Sequence, residues 1–116
     1  IQIEKMEIPQ EGPAYLSVEA QEVVENTHPD APEGSEQFML VGKVAGYNCR
    51  IWINVPKTLG TGKTFMEMIL LHNNFSIPDD GDFEFDDSSL FVGMEVPVEV
   101  SLSDDGQPRL RFRKEA

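Results

Sequence analysis

Trp52 and Arg50 are the two residues whose types and spacing best fit a chemical task in this 116-residue chain. Side chains at positions i and i+2 of a β-strand point to the same face. An indole beside a guanidinium offers a surface on which a nucleic-acid base stacks, together with a donor for the neighbouring phosphate. The pair therefore predicts a patch that binds single-stranded nucleic acid. The alternative is that Trp52 covers an end of the fold or packs beneath an acidic loop.

A second set of cations follows near the C-terminal end of the sequence. Arg109, Arg111 and Arg113 alternate with two apolar residues, and an alternation of period 2 predicts a strand with all three guanidinium groups on one face. Arginine binds phosphate oxygens through a planar, bidentate set of donors. The alternative is that these arginines pair with the acids of residues 79–87, which would neutralise the face.

The charges of the chain are segregated along the sequence. The formal net charge is -12, and residues 1–36 and 79–108 hold nine and ten of the 21 acids. Residues 37–78 and 109–116 each carry four bases and one acid. What a face binds depends on its local field rather than on the net charge, so the fold must bring the two basic segments together to create a cationic surface. The residues that we expect to contact nucleic acid there are Lys43, Arg50, Trp52, Lys57, Lys63, Arg109, Arg111 and Arg113.

The pattern of apolar residues predicts three strands, one helix and two further strands. We expect strands at 14–24, 38–44, 49–55, 94–102 and 108–114, a helix at 65–72 capped by Thr61 or Thr64 and ended by Asn73 and Asn74, and an acidic loop at 76–89 with an edge strand at 82–85. This is the element order of the OB fold, a five-stranded Greek-key barrel with its helix between strands 3 and 4.

The predicted organisation is therefore an all-β fold with one helix, in a single domain at 14–116 that follows an N-terminal arm or peripheral strand at 1–13. In an OB barrel the fifth strand lies beside the third. We therefore expect these two strands to hydrogen-bond to each other and the two basic segments to form one face.

Other motifs in the sequence do not lead to catalysis. Residues 60–64 read Gly-Thr-Gly-Lys-Thr, but the first glycine of a phosphate-binding loop is replaced by Lys57. The acids at 79–87 lack the spacing of a calcium loop, so a solvated loop is expected. His28 and His72 have no nearby partner ligand, and Cys49 is expected in the core. We therefore expect no enzymatic activity, no cofactor and no metal.

Composition also favours a cytoplasmic protein that does not insert in membranes. A single cysteine allows no internal disulfide, which is typical of a reducing compartment. The longest wholly apolar runs are about four residues, far short of the roughly 20 that cross a bilayer.

The chain resembles a known family over most of its length. Residues 90–100, Leu-Phe-Val-Gly-Met-Glu-Val-Pro-Val-Glu-Val, with the Asp-Gly turn and basic strand that follow, are similar to the end of small phage-encoded single-stranded-DNA-binding proteins with an OB fold. The resemblance extends from Tyr15 onward and includes the glycine hairpin before the strand of Trp52. Many such proteins end in a long acidic tail, whereas this sequence ends in Arg-Lys-Glu-Ala.

The resemblance implies binding of single-stranded DNA with little sequence preference, in phage or prophage replication or recombination within the bacterial cytoplasm. Replication or recombination proteins are then expected partners, and a homodimer remains open. A different hypothesis explains the net charge of -12 directly: an acidic interaction module could imitate the DNA backbone and block a DNA-binding partner. A third is that the barrel is only a scaffold for a protein contact.

Overall fold

A computed structural model describes residues 10–56, 59, 64–77 and 83–114, which form one five-stranded antiparallel sheet and a helix. The elements are β1 (Gly12–Glu25), β2 (Glu36–Val44), β3 (Tyr47–Asn54), α1 (Phe65–His72), β4 (Glu95–Leu102) and β5 (Pro108–Phe112). The strand order β3-β2-β1-β4-β5 curls into a nearly closed barrel. The OB-like fold and the place of the helix are thus confirmed, with strand ends shifted by at most two residues. The predicted arm at 1–13 lies outside the described residues up to residue 9, and β1 already begins at Gly12.

The longest strand, β1, belongs to both halves of the barrel. Up to Ser17 it pairs with β4, and from Ser17 onward it pairs with β2. The pairing shifts at Glu19, where a β-bulge bends the strand and increases its twist. Gly42 of β2 lies directly against this bend, because a Cβ at position 42 would come within 1.8 Å of the carbonyl oxygen of Ser17. The bend therefore requires glycine at that position.

The helix α1 packs against β3 and β4 and contributes one face to the core. Met66, Ile69 and Leu70 are almost completely buried and follow helical spacing. Thr64 is the N-cap, and its hydroxyl oxygen accepts a hydrogen bond from the backbone N–H of Glu67 at 3.2 Å. This confirms one of the two predicted caps, while Thr61 lies outside the described residues.

The C-terminal end of α1 is attached to β4 by one side chain. The Nδ2 of Asn73 donates to the carbonyl oxygens of Ile69 and Glu95, both at 2.8 Å, and its Oδ1 accepts from the N–H of Glu95 at 2.9 Å. Asn74, which follows, has a φ of 58°, a left-handed conformation that asparagine tolerates better than most residues. The predicted end of the helix is confirmed.

The acidic segment before β4 is more than a solvated loop. Phe83 and Phe85 pack against the core, with ring centroids of Phe85 and Phe38 at 5.6 Å and of Phe83 and Phe75 at 5.9 Å. The edge strand predicted at 82–85 is wrong, because residues 83–86 form no strand. The two phenylalanines bury their rings instead of pairing their backbone with a strand.

A buried glutamine holds the turn between this segment and β4. Gln21 of β1 is only 8% exposed; its Oε1 accepts from the N–H of Phe91, and its Nε2 donates to the carbonyl oxygen of Asp87 at 3.0 Å. Phe91 is thereby placed edge-on against Phe38, with ring centroids 5.1 Å apart. Both polar ends of the buried amide are satisfied, as burial requires.

Replacing Gly42 by alanine tests the bend of β1. We expect Gly42→Ala to lower the free energy of unfolding by about 3 kcal/mol or more, because the new methyl group meets backbone rather than a side chain that could move. Gly34→Ala is the matched control: its φ of 77° is strained for alanine, but no atom lies within 4 Å of the added Cβ, so a loss of about 1–2 kcal/mol is expected. Urea denaturation measures both; equal losses would contradict the close approach at Gly42.

Candidate nucleic-acid interface

The strands β3 and β5 are neighbours across the one opening of the described barrel. Their Cα atoms come within 8 Å of each other, but the two strands stand at opposite ends of the hydrogen-bonded order. The prediction that they lie side by side is therefore confirmed, whereas the prediction that they hydrogen-bond is wrong. One reason is that β5 has five residues and begins with Pro108, which has no N–H to donate. Side chains close the barrel here instead: Phe65 of α1 stacks on Phe112, with ring centroids 4.5 Å apart.

The opening between β3 and β5 forms a groove on the surface. Two cavities of about 540 and 630 Å³ lie along it and share Trp52 and Leu110 in their walls. We call this the seam groove, and define it by the side chains that supply its chemistry: Arg50, Trp52, Arg109 and Arg111.

Trp52 lies at the centre of the seam groove and faces outward. It alternates with Ile51 and Ile53, which are 4% and 1% exposed, whereas Trp52 itself is 48% exposed. Its cross-strand neighbour on β2 is Met39. The strand pleat thus buries the isoleucines and leaves a large part of the indole available to a ligand.

Three arginines of the seam groove form no close ion pair with any residue that the structure describes. Among the described residues, no carboxylate oxygen lies within 4.0 Å of the guanidinium groups of Arg50, Arg109 or Arg111. The alternative that this stripe pairs with residues 79–87 is therefore not observed for Glu84, Asp86 and Asp87, the acids of that segment that the structure describes. Folding does bring the arginines of β3 and β5 into one groove.

Two acids nevertheless approach the groove. Glu99 of β4 stands opposite Arg111 in the strand register and lines the same cavity. Asp105 lies in the β4–β5 turn; a hydrogen bond from the hydroxyl of Ser103 holds the pKa of its carboxyl below the usual value, and the charge of Arg109 adds a smaller effect in the same direction. The two carboxyl groups lie close enough to the arginines to reduce the positive field of the groove.

Arg113 departs from the predicted stripe. β5 ends at Phe112, and the Arg113 side chain turns towards β1 and β4, where Nε donates to the carbonyl oxygen of Val98 at 3.3 Å and Nη2 to that of Ala14 at 3.4 Å. Its guanidinium also lies 5.2 Å from the ring centroid of Tyr15. The regular alternation predicted for 108–114 breaks here because the strand has ended, so Arg113 is a fixed, partly buried cation.

The predicted lysines contribute less to the described groove. Lys43 lies on the outer face of β2, with its Nζ 3.9 Å from the carboxylate of Glu19 at the bulge of β1. Lys57 and Lys63 lie outside the described residues, as do residues 60–63 of the glycine-rich segment.

Phe65 is not among the residues that the sequence predicted for this surface. It is 42% exposed and lines the cavity that also contains Trp52. Helical spacing gives no clear signal for this exposure, because Phe65 lies four residues before the buried Ile69 and residues so spaced share a helix face.

The described residues contain no group of three or more His, Cys, Asp and Glu side chains placed to hold a metal ion. Cys49 is buried on the inner face of β3 as predicted, and burial raises the pKa of its thiol. The Nδ1 of His28 accepts a hydrogen bond from the N–H of Asp30, and His72 stacks on Tyr15 with ring centroids 5.5 Å apart.

Comparisons with protein-family models, curated proteins and solved structures found no match for this chain. In the part of the chain that the structure describes, no helix is long and apolar enough to cross a membrane.

Charged quenchers of Trp52 fluorescence test the local field of the groove. The chain has one tryptophan and a net charge of -12, so the whole protein should attract caesium ions, whereas the arginines beside Trp52 should attract iodide. We expect iodide to quench more strongly than caesium at low ionic strength, and Arg50→Gln with Arg111→Gln to reverse that order. Stronger quenching by caesium in the unmodified protein would show that the distant acids dominate at Trp52.

Proposed function

We propose that this protein binds single-stranded DNA with little sequence preference through the seam groove. The observation that carries the proposal is one half-exposed indole between the arginines of two strands, with no carboxylate within 4.0 Å of Arg50, Arg109 or Arg111 in the described chain. The OB-like barrel adds support, because barrels of this type bind oligonucleotides on their outer strands and adjoining loops.

The indole supplies the part of binding that requires an unpaired strand. Every base has a flat π face, and stacking of one base on an aromatic side chain contributes about 1–3 kcal/mol. A base inside a duplex has both faces covered by its neighbours, so Trp52 selects single strands over duplexes. Stacking accepts any base, which is why sequence preference should be small.

The arginines supply the part of binding that follows the phosphates. Arg109 and Arg111 are spaced two residues apart on β5, and such spacing on one strand face corresponds to about 6.6 Å. Each guanidinium presents a planar fork that suits phosphate oxygens. Because contacts to phosphate release counterions, affinity should fall as salt concentration rises.

We further infer a role as an accessory of phage or prophage replication or recombination, in the cytoplasm of the host bacterium. The similarity of residues 90–100 to the phage-encoded proteins supports this role. Replication or recombination proteins as partners, and a homodimer, belong to the same proposal.

A second candidate function rests on the acids of β1 and β2. Glu25 and Glu36 stand directly opposite each other in the register at the end of the β1–β2 pair, an arrangement of like charges that destabilises a sheet. Glu22 is also exposed on β1. A face that retains such repulsion fits a module that binds a basic protein in place of DNA.

Titration with oligothymidine tests the proposed function. At low salt we expect the ligand to quench or shift Trp52 emission, and Trp52→Ala to weaken binding by about 1–3 kcal/mol as measured by anisotropy of a labelled oligonucleotide. Val92→Ala is the control, since Val92 is 43% exposed in the turn before β4 and outside the seam groove. No binding at low salt, together with capture of a basic DNA-processing protein, would favour the acidic module.

Opposite charge changes at one point of the groove test the phosphate contacts. Arg111→Ala should weaken binding to all sequences alike and reduce the slope of log affinity against log salt by about one. Glu99→Gln should instead strengthen binding by about 0.5 kcal/mol, because it removes a like charge beside the phosphates. If Arg111→Ala leaves the salt slope unchanged, the phosphates do not follow β5.

A further inference from the structure

We propose that the strand leaves the seam groove across Phe65 and continues along α1, so that Phe65 is a second base-stacking residue for longer strands. This inference rests on the proposed function and extends it to the path and length of the bound DNA. A strand held only in the seam groove would end at Arg111, whereas the structure provides a continuous surface beyond it.

The continuity appears in the walls of three cavities. The cavity that contains Trp52 and Phe65 shares Phe112 and Arg113 with a further cavity of about 300 Å³. That third cavity is lined by Met68, Leu71, His72, Pro97, Phe112 and Arg113. The surface therefore runs without interruption from the β4–β5 turn, past Trp52, to the last turn of α1.

The position of Phe65 in the structure favours stacking of a base on its ring. Thr64 caps the helix, which fixes the backbone of Phe65 as the first residue of α1. Phe112 stacks against its ring, yet 42% of Phe65 remains exposed. A ring that is supported on one face and open elsewhere loses little freedom when a base stacks on it.

The surface beyond Phe65 combines exposed apolar side chains, which suit bases, with an arginine, which suits phosphates. Leu71 is 62% exposed, and the half-buried Met68 adds apolar surface beside it. Arg113 lies in the wall of both cavities with its guanidinium fixed by backbone carbonyl oxygens.

The dimensions indicate how length should matter. β5 is about 13 Å long at 3.3 Å per step, and α1 is about 12 Å long at 1.5 Å per residue. The part along β5 suits a strand at the lower end of the range of about 4–16 nucleotides that OB folds bind. A longer strand is needed to cross the ring of Phe65 and reach Leu71.

Two oligothymidines of about 4 and about 12 nucleotides distinguish the two parts of the path. Trp52→Ala should weaken binding of both. Phe65→Ala should weaken binding of the longer strand about tenfold and binding of the shorter one much less. Phe65→Leu should lose the same affinity while it keeps apolar packing on Phe112, and Phe65→Tyr should restore it. Thermal melting of each variant shows whether the barrel is intact.

Moving the single tryptophan from position 52 to position 65 gives an independent test of contact between the strand and residue 65. In the Trp52→Phe, Phe65→Trp protein, the longer oligonucleotide should quench emission much more strongly than the shorter one. Equal effects of Phe65→Ala on both lengths, or no effect on either, would overturn the inference while leaving the proposed function intact. Absence of binding to both lengths by the unmodified protein would instead reject the proposed function. Concentration-dependent self-association that Phe65→Ala abolishes would assign the surface to a second copy of the chain and overturn the inference.

Discussion

The close approach of Gly42 to the carbonyl of Ser17 is the constraint on which the barrel depends. It allows β1 to bend at Glu19 and pair with β4 before the bend and with β2 after it. Without that bend the sheet would remain open, because strands close into a barrel only when they coil strongly. The bend thus decides that β3 and β5, the two ends of the strand order, face each other.

The incomplete closure of this barrel creates its candidate binding surface. A hydrogen-bonded pair of β3 and β5 would lie about 4.8 Å apart and leave no groove. Here the Phe65–Phe112 stack and the apolar side chains of both strands close the interior, and an aromatic pair of this kind contributes about 0.5–1.5 kcal/mol beyond burial. The stability of the core and the access to Trp52 therefore depend on the same side chains.

Much of the fold follows from periodicity in the sequence. Apolar and polar side chains alternate along β3, and this alternation determines that Ile51 and Ile53 are buried while Arg50 and Trp52 face outward. The cap at Thr64 determines where α1 begins. Contacts distant in sequence could not be predicted in this way. The edge between β3 and β5 lacks hydrogen bonds and is closed by Phe65, a residue of another element, which stacks on Phe112.

Other contacts also join positions that are about 15 to 99 residues apart in the chain. Arg113 donates hydrogen bonds to the carbonyl oxygens of Ala14 and Val98, and Gln21 accepts one from the N–H of Phe91.

Segregation of charge along the sequence becomes segregation around the barrel. β1, which carries Glu19 and Glu22, is the central strand of the order, so it lies two strand spacings from β3 and from β5, the strands that line the seam groove. At about 4.8 Å per strand that separation is about 10 Å along the sheet, and the Debye length at physiological salt is about 8 Å. The acids of β1 are therefore screened from a phosphate in the groove, whereas Glu99 at its edge is not. Net charge limits how strongly this protein attracts DNA from a distance, but the nearest few side chains decide what the groove holds.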